Sequence, residues 1–384
     1  MPDSGRLEAA ADTSPVWIVD AYRSGEQTQL RALAEGLGVP YAVKTLRYRK
    51  YEMRTNLFRG QDLHGIDVEA SSPLEAPWPR VVLSAGMRNE SVCRWIREQS
   101  GGYTRIVFLG RLWADPRHFD LVITTPQYRV PERPNVLRND LPLHHVSPQR
   151  LAEAGEIWAP RLEHLPRPLI SVSVGGTSGP YAFGPNAARR LVRDAVALAR
   201  ERGGALLVSS SARTPKEVIE AFAAQQAVPM YLYRWQRGDV DNPYLGFLAL
   251  ADELVVTADS VSMLAEAHAT GKPVHMFDLG TGRFSMRRDM YFAAGEADQA
   301  RRAAAATQAQ PVDLRPGSLA YRALMRWGWK HLSRDISQVH LRLIRSGKMG
   351  WLGEAHPGVA GEPPATDLER AVARVKALLE TVSV

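Results

Sequence analysis

The densest group of side chains that could do chemistry lies in the stretch TADSVSMLAEAHATGKP, residues 257–273. An apolar run ends there, and a helical pattern begins a few residues later. Its first turns carry two hydroxyls and two carboxylates: Asp259, Ser260, Ser262 and, one turn beyond Ser262 on the same face, Glu266. Free N–H groups at a helix start attract an anion, and a carboxylate one turn further in can accept hydrogen bonds from a ribose diol. The group therefore predicts an anion and sugar site, whereas Asp259 or Ser260 taken alone favours an ordinary helix cap.

A glycine-rich segment, LISVSVGGTSGPYAF at residues 169–183, is the second candidate for chemistry. A β-branched apolar run is followed by a loop that contains Gly175, Gly176, Thr177, Ser178 and Gly179, and a helical pattern comes next. Such a bend can hold backbone N–H groups against a phosphate, or it can be a turn in which a glycine supplies a positive φ. The spacing matches neither the dinucleotide fingerprint nor the P-loop, which disfavours NAD and ATP sites of those kinds.

Short apolar runs alternate with helical patterns along most of the chain, which predicts α/β architecture with parallel sheets covered on both faces. A proline-rich stretch, residues 131–168, separates two such series, and we place the domain boundary near residue 165. The predicted organisation is a disordered lead-in (1–14), an N-terminal Rossmann-like domain (15–165), a C-terminal Rossmann-like domain (166–312) and a helical segment (313–384) that packs back on the domains. Two segments have the spacing of capping boxes at helix starts, Thr214–Glu217 and Thr366–Glu369.

Composition limits the class of protein. The 384 residues are 45% hydrophobic and 23% charged, as in a soluble globular protein of two domains. A single cysteine, Cys93, excludes a disulfide framework and favours a reducing, cytoplasmic compartment. No apolar run has the length needed to span a bilayer. The net charge of +7 suggests an acidic partner, but the basic residues are spread without aromatic repeats, so we predict no nucleic-acid partner.

Five stretches of the sequence resemble a known family. They are VFLGRLWADPRHFDLVITTPQY (107–128), NDLPLHHV (139–146), SVSVGGTSGPYAF (171–183), SARTP (211–215) and NPYLGFLALADELVVTADSVSMLAEAHATGKPV (242–274). Together they are similar to the mitochondrial-fission "elongated mitochondria" family of bacteria and plants, which is placed among GT-B-like folds. The resemblance implies two Rossmann-like domains facing a cleft, with C-terminal helices packing across them. It also implies a metal-independent glycosyltransferase whose donor is a nucleoside diphosphate sugar and which needs no further cofactor.

In the fold that this resemblance implies, the nucleotide lies against the C-terminal domain, and the Gly175 loop faces the diphosphate and the transferred sugar. We therefore prefer the phosphate contact for that loop. Trp235 would stack on the base, with a core position as an equal alternative, and Arg234 would stabilise charge on the diphosphate leaving group. The residues predicted to bind the nucleotide sugar are Gly175, Gly176, Thr177, Ser178, Ser211, Arg213, Arg234, Trp235, Asn242, Asp259, Ser260, Ser262 and Glu266.

The N-terminal domain would then hold the acceptor and a base that deprotonates the acceptor hydroxyl. Asp20 and Glu26, which follow the first apolar run, are the predicted catalytic bases, and solvated carboxylates without a role are the alternative. Relatives carry a D-G-x-P-G-x-x-x-Q type of loop here, from which this chain departs at Ala21 and Ser24. The residues predicted on the acceptor side are Arg23, Gly25, Arg88, Asn89, Thr125 and Gln127. The pair His144–His145 lacks a further ligand at metal spacing, so no metal site is predicted.

The C-terminal segment combines an apolar stripe with a basic row. The stripe consists of Met325, Trp329, Leu332, Ile336, Val339 and Leu343, and the row of Arg322, Arg326 and Lys330. We assign the stripe to packing between domains and the row to an anionic membrane surface. We accordingly expect a peripheral enzyme on the inner face of the cytoplasmic membrane, with a lipid-linked or glycan acceptor. The alternative is a non-catalytic binding or adaptor protein on the same scaffold, as the organelle-division role of the plant relative suggests.

Overall fold

The computed structural model describes residues 14–49, 60–128, 130–177, 181–281, 285–287, 334–345, 347, 349–354 and 366–380. Its contacts divide the chain into two compact units, and each is described by itself. Unit 1 comprises Met1–Asn139 and Ala365–Val384, and unit 2 comprises Asp140–Pro364.

Unit 1 is built on one parallel sheet. Its strands are β1 (Val16–Val19), β2 (Tyr41–Lys44), β3 (Val81–Ala85), β4 (Arg105–Leu109), β5 (Leu121–Thr124) and β6 (Val136–Arg138). They pair in the order β2-β1-β3-β4-β5-β6. Strands β1 and β3 are buried along their whole length, as strands covered on both faces are. The helices of this unit are α1 (Ser24–Leu37), α2 (Glu90–Gln99) and, at the end of the chain, α9 (Asp367–Glu380).

Helix α9 belongs to unit 1 because it packs on α1. A Cβ at Gly36 would lie 2.7 Å from Cγ2 of Val372, so the glycine permits this close approach. The predicted capping box at the start of α9 is confirmed. The N–H of Thr366 donates to Oε2 of Glu369 (2.7 Å), and the N–H of Glu369 donates to the Thr366 hydroxyl (3.2 Å).

Unit 2 repeats the same plan. Its strands are β7 (Leu169–Ser173), β8 (Ala205–Ser209), β9 (Met230–Tyr233), β10 (Glu253–Thr257), β11 (Val274–Phe277) and β12 (Gly350–Trp351). All pair in parallel, in the order β12-β11-β10-β7-β8-β9. The helices are α3 (Pro148–Leu162), α4 (Pro185–Arg202), α5 (Lys216–Ala223), α6 (Tyr244–Leu250), α7 (Val261–His268) and α8 (Ser337–Arg345). The predicted fold class, α/β with two Rossmann-like halves, is confirmed.

The strand orders fix where each sheet has its ligand crevice. In unit 1 the chain runs from β1 outward to β2 and then returns to place β3 on the other side of β1. In unit 2 it runs from β7 through β8 to β9 and then places β10 on the other side of β7. Ligands of open α/β sheets bind outside the carboxyl ends of the strands at such a reversal. The positions of interest are therefore the loops after β1 and β3 and the loops after β7 and β10.

The predicted domain boundary near residue 165 differs from the observed division, which follows Asn139. The reason is that α3 packs into unit 2. Trp158 lies in an edge-to-face arrangement with Tyr231 (centroids 6.1 Å apart) and Phe247 (6.2 Å). Gly246 permits the contact, since a Cβ there would lie 2.5 Å from the Trp158 indole. The proline-rich stretch from residue 140 onward, which contains α3, thus belongs to unit 2.

The C-terminal segment is described only in part. Ile336, Val339 and Leu343 are buried in the core of unit 2, whereas the predicted assignment was to packing between domains. The rest of the stripe, and the basic row with Arg322, Arg326 and Lys330, lie outside the described residues. Within the described part of the chain, no helix has the length and apolar character needed to cross a bilayer.

Candidate functional site

The Gly175 loop follows β7 at the reversal in unit 2. The N–H of Gly175 donates to the hydroxyl of Thr257 (2.7 Å), and the N–H of Gly176 donates to Oδ2 of Asp259 (3.0 Å). A Cβ at Gly175 would lie 2.6 Å from both carboxylate oxygens of Asp259, and a Cβ at Gly176 would lie 2.1 Å from the carbonyl oxygen of Arg213. Both amides therefore already have acceptors within the protein. The two glycines are explained by close packing, which corrects the expectation that these N–H groups hold a phosphate.

Asp259 ties three loops together from a fully buried position. Besides accepting from Gly176, its Oδ2 lies 3.7 Å from the exposed guanidinium of Arg213. Its Oδ1 is buried and has no hydrogen-bond partner within the described structure. Burial raises the pKa of Asp259 above its usual value, and the Gly176 hydrogen bond opposes that rise. Asp259 does not cap α7, and Ser260 stands at the cap position without a side-chain hydrogen bond.

The carboxylate of Glu266 lies on the second turn of α7. Its Oε2 accepts a hydrogen bond from the Tyr244 hydroxyl at 2.6 Å, and its other oxygen makes no hydrogen bond to the described residues. Burial raises the pKa of Glu266 to about 7, although the Tyr244 bond lowers it. Burial and the Glu266 charge raise the pKa of Tyr244 well above its usual value. Asn242 holds the start of α6, where its Oδ1 accepts from the N–H of Tyr244 (3.0 Å).

The loops after β8 and β9 supply the exposed groups of this edge. Arg213 and Arg234 are exposed, and Trp235 has 38% of its surface accessible, so Trp235 is not a core residue. The backbone of Trp235 is held in place because its backbone N–H donates to the hydroxyl of Ser210 (2.8 Å). Exposed guanidinium groups can bind a diphosphate, and an exposed indole can stack on an aromatic base.

The remaining hydroxyls predicted for this site are engaged within the protein or half-buried. The Ser211 hydroxyl donates to the carbonyl of Gly175 (3.3 Å), and the Thr177 hydroxyl accepts from the N–H of Phe183 (3.1 Å). Ser262 is half-buried on the first turn of α7. Ser178 and Gly179 lie outside the described residues.

The Thr214–Glu217 capping box is wrong. Helix α5 follows Pro215 without a side-chain cap. The Thr214 hydroxyl instead donates to the carbonyls of Val174 (2.9 Å) and Gly175 (2.8 Å), which fastens the loop after β8 to the loop after β7.

In unit 1, Asp20 is an anchor for its own loop. Its carboxylate accepts from the N–H of Ala21 (3.0 Å), from the amide of Gln27 (3.1 Å) and from the guanidinium of Arg31 (3.4 and 3.2 Å). Four N–H donors of the same unit therefore already engage the Asp20 carboxylate. Glu26 differs, because its carboxylate is partly exposed and its ion pair with Arg23 is longer, at 3.6 Å.

Three of the residues predicted on the acceptor side, Asn89, Thr125 and Gln127, are buried. The Asn89 amide donates to the carbonyls of Asp20 (3.0 Å) and Ala85 (3.1 Å), so it joins the ends of β1 and β3. The Gln127 amide donates to the Thr125 hydroxyl (2.8 Å). Gly25 lies inside α1 and its carbonyl accepts from Gln29 (3.1 Å). These residues shape the carboxyl edge of the sheet rather than face a ligand.

Arg23 and Arg88 are brought together around one aromatic ring. The guanidinium carbon of Arg88 lies 4.6 Å from the ring centroid of Tyr22, and that of Arg23 lies 5.1 Å from it. Arg88 also lies 5.4 Å from the ring of Tyr48. Tyr22 and Tyr48 were not predicted from the sequence, because a tyrosine after a strand carries no local signal of its contacts.

Other residues that organise the edge of unit 2 were also missed. The Lys272 ammonium donates to the carbonyls of Leu248 (2.9 Å) and Ala249 (2.5 Å), which caps the end of α6. The Gly-Lys-Pro motif therefore has a structural explanation. Arg190 donates to the carbonyls of Asp278 (3.0 Å) and Leu279 (3.0 Å) and so fixes the loop after β11. In the sequence, a half-buried arginine of this kind cannot be told from an exposed arginine on the surface of a helix.

Comparison with known proteins identifies a family. A family model described as "Mitochondrial fission ELM1" matches residues 24–314. The chain is 28% identical over 237 residues to the mitochondrial fission protein ELM1 of Arabidopsis thaliana. That alignment covers 56% of this chain and 55% of the plant protein, so the chain spans about half the length of this relative. The resemblance inferred from the sequence motifs is confirmed.

The chain is also similar to solved structures of other proteins. The chain is similar to a UDP-glucosyltransferase from Polygonum tinctorium, with 12% identity, a TM-score of 0.44 and coverage of 97% of this chain and 100% of that one. It is also similar to a UDP-GlcNAc 2-epimerase from Neisseria meningitidis bound to UDP-GlcNAc, with 10% identity, a TM-score of 0.45 and coverage of 95% and 99%. At these identities the likeness concerns the fold alone.

Proposed function

This chain belongs to the mitochondrial fission ELM1 family, and on that premise we propose that it is a GT-B-type glycosyltransferase that binds a nucleoside diphosphate sugar at the carboxyl edge of the unit 2 sheet. The observation that carries the proposal is the carboxylate of Glu266. One oxygen is held by Tyr244 at 2.6 Å, and the other lacks a hydrogen bond within the described structure, beside the reversal of the sheet. A vicinal ribose diol supplies the donor that this second oxygen lacks.

The neighbouring loops support the same ligand. Exposed Arg213 and Arg234 carry positive charge after β8 and β9, and the side chain of Trp235, next to Arg234 in the sequence, is accessible. Guanidinium groups match the oxygens of a diphosphate, and an indole face suits a nucleoside base. Both contacts differ from the backbone cradle expected from the glycines, because they rely on side chains.

The proposed reaction is the transfer of the sugar to an acceptor hydroxyl. The hydroxyl oxygen forms the new bond to the anomeric carbon, the bond from that carbon to the diphosphate breaks, and its electron pair leaves on the diphosphate. Arg234 would stabilise this growing negative charge. The acceptor proton goes to a base, for which Glu26 is our candidate because Asp20 is ion-paired with Arg31 at 3.2 Å. We keep a lipid-linked or glycan acceptor at an anionic membrane surface as part of the proposal.

The binding step is tested by thermal shift with UDP, GDP, ADP and CMP, since a ligand that binds only the folded state raises its stability. We expect one nucleotide to stabilise the protein, and Glu266→Gln to weaken its binding about tenfold. The matched control is Glu156→Gln, which changes an exposed glutamate of α3. The 2′-deoxy form of the same nucleotide sharpens the test, because its loss of affinity should be large in the wild type and small in Glu266→Gln. Indifference to all four nucleotides would contradict the proposal.

A second candidate function is a non-catalytic protein that binds the nucleotide sugar and acts as an adaptor. The observation in its favour is that Asp20, one of the two predicted bases, is saturated by donors from Ala21, Gln27 and Arg31. Mass-spectrometric assay of nucleoside diphosphate release from the donor that binds separates the two candidates. Release that Glu26→Gln abolishes, with donor affinity retained, supports the enzyme. Tight donor binding without release in the presence of membrane extracts supports the adaptor.

A further inference from the structure

The reversal in unit 1 brings together two loops that carry arginine and tyrosine. Tyr22 and Arg23 follow β1, and Arg88 follows β3. Gly86 has φ of +84° and allows the loops to meet, since a Cβ there would lie 3.1 Å from Oε2 of Glu26 and 3.4 Å from the Tyr22 ring. The place where this sheet topology binds ligands is therefore lined by cations and an aromatic ring.

The cluster presents an exposed tyrosine ring with two guanidinium groups close to it. Tyr22 has 43% of its surface accessible. Arg88 and Arg23 lie 4.6 and 5.1 Å from its ring centroid, and Tyr48 packs edge-on at a centroid distance of 6.4 Å. The Tyr48 hydroxyl donates to Oδ1 of buried Asn89, which fixes the inner wall of the cluster. Stacking on aromatic rings orders both arginines before a ligand arrives.

The charges of the cluster favour an anion. The Arg23 guanidinium lies 3.6 Å from the Glu26 carboxylate. The other acidic side chain of this loop, Asp20, is already paired with Arg31. Burial raises the pKa of Tyr22, so its hydroxyl remains a hydrogen-bond donor near neutral pH. The edge thus offers two cations and a neutral donor around an apolar ring face.

We propose that Tyr22, Arg23 and Arg88 form a binding site for a phosphate monoester. The guanidinium groups would bind the phosphate oxygens in pairs, as their planar forks allow, and the ring of Tyr22 would contact the carbon skeleton that bears the phosphate. A free sugar phosphate and a lipid headgroup share this chemistry. The proposal goes beyond the proposed function, because it requires neither nucleotide binding nor sugar transfer.

The experiment is isothermal titration calorimetry of the full chain with glucose 1-phosphate, glucose and inorganic phosphate, with co-sedimentation on phosphatidic-acid vesicles as the lipid arm. Arg23→Gln and Arg88→Gln are compared with Arg80→Gln, which removes an exposed charge at the opposite edge of the same sheet, just before β3. Circular dichroism verifies that each variant is folded. Glu266→Gln is included to separate this site from the proposed nucleotide site.

We expect glucose 1-phosphate or the vesicles to bind, neutral glucose to fail, and each cluster variant to lose about tenfold in affinity while Arg80→Gln retains it. Binding to the vesicles alone identifies a lipid headgroup as the source of the phosphate, and binding of glucose 1-phosphate identifies a soluble one. Glu266→Gln should leave this binding unchanged even if the nucleotide proposal fails. Equal affinity in Arg88→Gln and the wild type, an equal loss in Arg80→Gln, or no binding of any phosphate probe overturns the proposal.

Discussion

Tyr244 donates its hydroxyl hydrogen to Oε2 of Glu266 across 2.6 Å, and this bond joins the first residue of α6 to the second turn of α7. Burial raises the pKa of the Glu266 carboxyl to about 7, and the bond from Tyr244 limits that rise. The carboxylate is therefore close to its titration midpoint under ordinary conditions. Any ligand that donates hydrogen bonds to it should bind in a pH-dependent way.

We predict that nucleotide affinity falls as the pH decreases through about 7 and that Tyr244→Phe moves this midpoint to higher pH. The reason is that an ionised carboxylate is the stronger acceptor, and loss of the phenolic donor disfavours the ionised form. The measurement is calorimetric titration at several pH values with an uncleaved nucleoside diphosphate sugar, whose phosphates do not titrate in this range. A midpoint that stays in place in Tyr244→Phe contradicts the prediction.

The same carboxylate should reduce the stability of the unliganded protein. Its pKa is about 7 in the folded state against 4.5 for the free side chain, so the folded state holds more protons between these pH values. Stability is therefore lost as the pH rises from 4.5 to 7. Glu266→Gln removes the titrating group and should raise the free energy of unfolding at pH 8 by up to about 3 kcal/mol. Urea denaturation at pH 5 and pH 8 checks this, and a difference between the two proteins that does not grow with pH speaks against it.

Asp20→Asn should act on stability rather than specifically on chemistry. The substitution leaves the Arg31 guanidinium without its carboxylate and weakens the bonds from Ala21 and Gln27. We expect a loss of about 1–3 kcal/mol in the free energy of unfolding. Arg31→Gln should produce a similar loss, and the double variant should lose less than the sum. If the Asp20→Asn protein were as stable as the wild type but no longer transferred sugar from the donor, the prediction would be wrong and Asp20 would again be a candidate base.

The sequence was sufficient to predict the fold because the apolar runs and the helical patterns are local signals. Both parallel sheets and the capping box of α9 follow from such signals, whereas the family was identified from the resemblance of five stretches of the sequence. The domain boundary could not be read in the same way. Proline marks a chain that bends, but only the packing of Trp158 against Phe247 assigns α3 to unit 2.

The positions of the site residues could be predicted from the sequence more readily than their hydrogen-bond partners. The sequence identifies Glu266 and the Gly175 loop as unusual, and both lie at the reversal in unit 2. What it does not reveal is which polar groups are already satisfied. In the sequence, Asn89 and Asp20 resemble exposed loop residues. In the structure, the Asn89 amide is hydrogen-bonded to the carbonyl of Asp20, 69 residues away, and the Asp20 carboxylate is hydrogen-bonded to Arg31. The hydrogen bond of Tyr244 to Glu266 could not be predicted for the same reason, since the two residues lie 22 positions apart.

His340 should make the protein sensitive to acid. The ring is fully buried, its Nε2 is hydrogen-bonded to the carbonyl of Ala258 at 2.7 Å, and burial lowers its pKa to about 4. The unfolded chain binds a proton near pH 6.5, so stability is lost as the pH falls from 6.5 to 4. The glutamine of His340→Gln can keep the bond to Ala258 without titrating. This variant should therefore lose less free energy of unfolding over this pH range than the wild type, by up to about 3 kcal/mol.

Urea unfolding midpoints of the wild type and His340→Gln across that pH range provide the measurement. The nearby charges of Asp335 and Arg334 affect both proteins, so the difference between the two curves isolates the imidazole. Parallel curves would show that the imidazole does not carry the acid sensitivity.

Gly175 and Gly176 should be required for folding, whether or not a ligand binds. An alanine at position 176 would bring its Cβ within 2.1 Å of the Arg213 carbonyl oxygen, and one at 175 within 2.6 Å of the Asp259 carboxylate. The neighbours are backbone and a fully buried side chain, so neither can move aside cheaply. We expect Gly176→Ala to lower the free energy of unfolding by about 2 kcal/mol or more.

Gly184→Ala is the matched control, because a Cβ there meets nothing within 4 Å. It should remain within about 1 kcal/mol of the wild type. Chemical denaturation in the absence of ligand decides between the two explanations of the glycines. A phosphate cradle predicts that Gly176→Ala is stable but loses nucleotide affinity, since a new methyl group would block the ligand and nothing else. Close packing predicts instability without any ligand, because the N–H groups of both glycines are already bonded to Thr257 and Asp259.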